Sequence, residues 1–291
     1  MITRRQMLGS AVCLAMGAAT RAARADAGRT MPVGFISHGG PLIAVDPVRG
    51  PELRAWGARL PKPSGVLVMT PHWGSRHVAL GATGPGVARY DFPRFLASRL
   101  PPDLSYPSPP SVALAARVEA LLQDAHAVAR GERRGLDHTT WMPLRHMLPA
   151  ADVPVLEMAY PLLPTPEIFA LGMRLAPLRD EGVLILGSGG MTHNLAALDV
   201  DAPPTSIPAW SREFDGWAAE RLAVRDVDAL VDWRHKAPAS ELAHPDDGGH
   251  FRVLLFALGA ASVGPGRVTP STSFPSAGFE FGLSMRCVEM S

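Results

Sequence analysis

The chain has 291 residues, 47% hydrophobic and 19% charged, and its 28 basic and 27 acidic side chains leave a net charge of +1. A disordered tail would hold fewer apolar residues, and a nucleic-acid binder carried by charge would need a basic excess, so both classes are excluded. The 28 glycines and 29 prolines follow no three-residue period, and no charged or Ser/Gly-rich linker splits the chain, so one domain of catalytic size is expected.

Residues 1–25 have the plan of a cleaved export signal: a basic start, an apolar run and small residues ending in Ala23-Arg24-Ala25. Within it, Thr3-Arg4-Arg5-Gln6-Met7-Leu8 resembles a twin-arginine signal, which predicts a periplasmic protein spanning 26–291. An ordinary secretory signal and a retained membrane anchor are the alternatives, and the short, alanine-rich run argues against the anchor. No stable membrane association is therefore expected after cleavage. Removing the segment takes away Arg4, Arg5, Arg21 and Arg24 and no acid, so the basicity belongs to the signal. Cys287 is then the only cysteine left, which excludes an internal disulfide.

Buried strands are predicted at 33–37, 65–70, 153–159 and 182–186, each a short apolar run bounded by Pro or Gly. Helices are predicted at 111–130, stopping at Gly131, and at 168–178, with Thr165-Pro166-Glu167 as cap, first-turn proline and acid. Two more are expected at 209–224 and 250–261. Alternating Phe279, Phe281, Leu283, Met285 and Cys287 predict a half-buried strand. The fold class is α/β, a central mostly parallel or mixed sheet flanked by helices.

His38, His72 and His193 each follow a predicted strand. In open α/β sheets ligands bind beyond the carboxyl ends of strands, so three imidazoles delivered there point to a metal, although each alone would suit a loop. The run Gly187-Ser188-Gly189-Gly190 lacks the Lys-Ser/Thr of a phosphate loop, and Leu186 stands where a serine-hydrolase elbow needs glycine. His77, His126, His146 and His235 carry no expected role. Trp73 and Trp141 are candidate walls of an aromatic pocket, or simply core.

Several segments together resemble the LigB-like extradiol ring-cleaving dioxygenases, in the small single-chain branch that includes DOPA dioxygenases. They are PVGFISHGGP at 32–41, VLVMTPHW at 66–73, GLDHTTWMPLRHMLP at 135–149, LGSGGMTHNL at 186–195, and the stretches 151–156 and 244–260. The resemblance implies His38, His72 and His250 as ligands of a divalent metal, His193 as acid/base or extra ligand, and His138 facing the substrate. The chain departs from the usual pattern at Gly40, Thr139 and 246–249, which leaves Asp247, Glu241 and His244 as alternatives for the third ligand. Asp137 either orients His138 or caps a helix.

The implied reaction opens the ring of a small catechol with O2. Triplet dioxygen does not react directly with a singlet catechol, so Fe(II) is the expected cofactor, whereas Zn(II), lacking redox chemistry, could occupy the site without supporting the reaction. His193, as a neutral imidazole, would accept the phenol proton, and His138 would donate one later. A zinc hydrolase and a non-catalytic periplasmic metal carrier are the competing classes.

Overall fold

Four apolar runs that show no polar alternation pair side by side as parallel strands, which is what burial on both faces demands. The computed structural model describes residues 30–131, 134–198, 201–203, 205–262 and 271–291, of which 31–291 belong to one compact unit. The candidate export signal lies outside the described residues. The strands are β1 (Val33–Ser37), β2 (Gly65–Ser75), β3 (Val78–Leu80), β4 (Val128–Arg130), β5 (Val155–Pro161), β6 (Val183–Gly189), β7 (Thr272–Ser273), β8 (Phe279–Glu280), β9 (Leu283–Ser284) and β10 (Val288–Met290). The longer helices are α1 (Arg49–Arg59), α2 (Val112–Leu122), α3 (His138–Met147), α4 (Thr165–Leu175), α5 (Ala209–Ala223) and α6 (Gly249–Ala261).

Among the described residues, the main sheet runs β4-β3-β5-β2-β6-β1-β10-β7. Its parallel centre, β5-β2-β6-β1, is edged by antiparallel pairings of β3 on β5 and of β10 on β1. The sheet is therefore mixed. Alternate side chains feed two cores. Val33, Phe35, Leu67, Met69 and Ile185 pack under α2, α4 and α6, while Ile36, Val66, Val68, Leu184 and Leu186 pack under α1 and α3. No described helix is long and apolar enough to cross a membrane.

Every residue of α6 is buried, so this helix is apolar on all sides and lies between the sheet and α4. Two glycines of β6 make room for it. A Cβ on Gly187 would fall 2.2 Å from the Val253 carbonyl oxygen, and one on Gly189 would fall 2.1 Å from that of His250. The glycine-rich turn thus serves backbone-to-backbone packing of a helix, not phosphate binding. Gly189→Ala should cost about 1–3 kcal/mol by overpacking, read as a lower urea midpoint; an unchanged midpoint would show that helix and strand can part freely.

Four expectations need correction. The helix expected over 111–130 ends at Leu122, and Val128–Arg130 instead pairs with Val78–Leu80 as an edge strand, which removes His126 from any helix face. Thr165 is the first residue of α4 and not its cap, the capping position being held by Pro164. The strand expected over 279–287 is a hairpin, because Phe281 and Gly282 both take positive φ (47° and 79°) and reverse the chain. The strand expected to end at Thr70 continues to Ser75 after a register break, across which Pro71, His72 and Trp73 loop out.

Candidate metal centre

β1 ends at Ser37, and the His38 N–H extends the ladder by donating to the Gly189 carbonyl at the end of β6. Gly39 then turns with φ +64°. Its carbonyl oxygen lies 2.7 Å from His38 Nδ1. A carbonyl can only accept, so Nδ1 carries the proton and Nε2 keeps its lone pair. That Nε2 is buried and has no partner in the protein.

His72 stands in the β2 bulge, its N–H donating to Thr70 Oγ1. The Thr70 hydroxyl donates to Thr139 Oγ1 at 2.8 Å, and Thr139 in turn donates to Asp137 Oδ1 at 2.5 Å. Thr139 therefore ties the bulge to the start of α3. His250 sits in the first turn of α6, where Gly189 lets the helix come close, and its Nε2 lies 3.3 Å from His72 Nε2.

Ring nitrogens of His38, His72 and His250 all fall within 4.8 Å of one another. Burial, and then the charges of the neighbouring imidazoles, hold His38 and His250 well below the ordinary histidine range. His72 as a whole is exposed, but its ring nitrogen lies among the others; desolvation, then the charge of His138, lower its pKa to about 4 against the opposing Asp137 and Asp91. All three imidazoles are thus neutral at pH 7. An orphaned buried lone pair facing two more neutral nitrogens is a donor set that fits a divalent transition metal.

His193 stacks face to face on His250, with ring centroids 3.4 Å apart and an interplanar angle of 8°. Its N–H donates to the Ala243 carbonyl, while the Asn194 side chain accepts from the Ala197 N–H and donates to the Leu242 carbonyl. Burial lowers the His193 pKa and the Asp246 carboxylate opposes that shift.

His138 opens α3, and Asp137 caps that helix by accepting the Thr140 N–H, so capping is the role the structure gives Asp137. The carboxylate that holds His138 is Asp91, which sequence reasoning missed. Its Oδ1 accepts the His138 N–H at 3.1 Å and lies 2.9 Å from Nδ1. Burial opposes ionisation of Asp91, yet the hydrogen bonds from His138 win and lower its pKa to about 2. An ionised carboxylate can only accept, so His138 carries its proton on Nδ1. The ring centre lies 4.9 Å from that of His72, and Phe92 meets it edge-on at 5.2 Å.

The other candidates are placed elsewhere. His244 is fully buried beside Phe214, Trp233 and Phe251, with Nε2 on the Met191 carbonyl. Asp247 accepts from the Tyr160 hydroxyl and the Gly249 N–H, and Glu241 is exposed beside Arg234. Ser188 is buried and donates to the Thr139 carbonyl. Among the described residues, neither Trp73 nor Trp141 forms a ring pair with these imidazoles. Trp141 is core, donating to the Arg89 carbonyl, and Trp73 packs under the Arg134 guanidinium. Phe92 is the aromatic side chain against the cluster. His146 packs by its bond to the Ile43 carbonyl, and His77 and His235 are exposed.

The catalytic LigB subunit of aromatic ring-opening dioxygenases, as a family, matches residues 50–278. A 4,5-DOPA dioxygenase extradiol from Beta vulgaris is 36% identical over 236 residues, 78% of this chain and 85% of that protein. One from Escherichia coli K12 is 30% identical over 269 residues, 89% and 94% of the two chains. The crystal structure of an uncharacterized protein from Escherichia coli K12 superposes with a TM-score of 0.73 at 29% identity, covering 90% of this chain and all of that one.

Proposed function

Because the chain belongs to the LigB family of aromatic ring-opening dioxygenases and is an extradiol ring-cleavage enzyme, we propose that it holds Fe(II) on His38, His72 and His250 and opens a catechol with O2. The observation that carries this reading is His38 Nε2, a buried nitrogen with no protein partner, facing two more imidazoles whose nitrogens stand 3.3 Å apart. Bound there, Fe(II) supplies the redox chemistry that lets triplet O2 react with a singlet catechol, which Zn(II) cannot.

The chain's own residues divide the remaining work. His193 stacks face to face on His250 and is not one of the three imidazoles whose ring nitrogens converge at His38, His72 and His250, so we assign it to proton transfer. Neutral at pH 7, it accepts the proton of a substrate hydroxyl. His138 takes a hydrogen bond from the substrate on its free Nε2, and Phe92 supplies an aromatic edge for the ring to pack against. DOPA, for which the relatives are named, heads the list of candidate catechols.

The test is anaerobic loading with Fe(II), then O2 uptake over a catechol panel that includes DOPA and 4-methylcatechol. The iron form should consume one O2 per catechol and release a yellow ring-opened semialdehyde, and the zinc form should do neither. Absence of uptake with every catechol, together with ester or amide hydrolysis by the zinc form, would replace this reading with a hydrolase.

A further inference from the structure

We propose that Asp91 is a positioning residue for ring opening, fixing His138 as the Nδ1–H tautomer and so reserving its Nε2 lone pair for the substrate. The inference rests on the function proposed above, and its core is a geometry of two side chains far apart in sequence. One carboxylate oxygen, Asp91 Oδ1, takes both the backbone N–H and the ring nitrogen Nδ1 of His138. The backbone bond ties the His138 main chain to Asp91. The ring bond sets the rotation of the imidazole and which nitrogen bears the proton.

Two features separate this arrangement from a helix cap or a chance ion pair. The first turn of α3 already has its cap in Asp137, which accepts the Thr140 N–H and the Thr139 hydroxyl, so Asp91 is not needed to start the helix. The segment carrying Asp91 is also held in register. Leu136 donates its N–H to the Val87 carbonyl and accepts from the Arg89 N–H, and the Tyr90 hydroxyl donates to the Leu104 carbonyl. These bonds bring Tyr90, Asp91 and Phe92 alongside His138, with Asp91 on its ring nitrogen and Phe92 against its face. With the Nδ1–H committed to Asp91, Nε2 is the ring nitrogen left to meet an arriving hydroxyl, on a ring 4.9 Å from that of His72.

The test uses the full protein in three measurements. In zinc-loaded, diamagnetic protein with 15N-labelled histidine, the His138 ring shifts should report Nδ1–H in the wild type and a tautomer mixture in Asp91→Ala. In the iron form, Asp91→Ala should lower kcat by on the order of 10- to 10²-fold, with metal content and KM within about twofold of wild type. Asp91→Asn, which keeps an acceptor oxygen but loses the charge, should fall between the two. In a His138→Ala background, Asp91→Ala should change kcat by less than about twofold, since its effect runs through a ring already removed. Equal losses with and without His138, or an unaltered Nδ1–H signature in Asp91→Ala, would overturn the assignment. Should the wild-type iron form open no catechol, the function proposed above fails, and the ring shifts still decide whether Asp91 sets the tautomer.

Discussion

His250→Ala should strip the protein of its metal. The proposed site has three nitrogens, and His244 cannot swing in as a fourth, since its ring is buried among Phe214, Trp233 and Phe251 and bonded to the Met191 carbonyl. Losing even an outer-shell partner of a ligand costs about 10- to 100-fold in affinity, so losing a ligand should cost more than about 10². Metal content after desalting should collapse in His38→Ala, His72→Ala and His250→Ala and persist in His244→Gln. Full occupancy in the His250 variant alongside loss in a His244 or Asp247 variant would relocate the third ligand. The pH dependence follows the same logic. Protons compete for these nitrogens only as the pH falls toward their folded pKa values, all lowered from the usual histidine range, with His72 at about 4. Occupancy should therefore hold from pH 8 down through the ordinary histidine pKa near 6.5 and fall only close to pH 4. A midpoint near 6.5 would mean that the imidazoles are not desolvated as described.

His193→Phe should do the opposite, keeping the metal and losing the reaction. The phenyl ring can replace the imidazole in the parallel stack on His250, and the loop stays pinned through the His193 backbone N–H and the Asn194 side chain. What disappears is the proton acceptor. A positioned acid/base contributes about 10² to 10⁴ in rate, so kcat should drop by that factor at unchanged metal content. Near-normal turnover in the phenylalanine variant would reduce His193 to a packing residue. Loss of metal there would return it to the ligand set.

The elements that were legible in the sequence are those fixed locally. β1 and β6 begin where Pro or Gly breaks an apolar run, and α5 and α6 fall within a residue of expectation because their patterns are long and sharply bounded. The overrun of α2 has a plain cause: Gln123 to Arg130 contains no proline or glycine, and only Val78–Leu80, far upstream, claims Val128–Arg130 for the sheet. The same applies at the site. His38, His72 and His193 announce themselves by following strands, and His250 by resemblance to known proteins. Asp91 is separated from His138 by 47 positions and carries no motif, so only the folded chain joins them. Of the two tryptophans, Trp141 is core, one of its two expected readings, while Trp73 is half-buried under Arg134, a partner 61 positions away that no local pattern announces.

The placement of β10 sets the timing of assembly. It lies beside β1, so the strand that delivers His38 is flanked by residues that leave the ribosome some 250 positions later, with Val33 opposite Met290 and Phe35 opposite Val288. Between those ends, His250 must also emerge and α6 must lodge against β6 before three nitrogens face one another. A growing chain therefore displays His38 and His72 long before His250 can face them. Any metal held by these three imidazoles is expected to enter late in folding, once α6 is seated against β6.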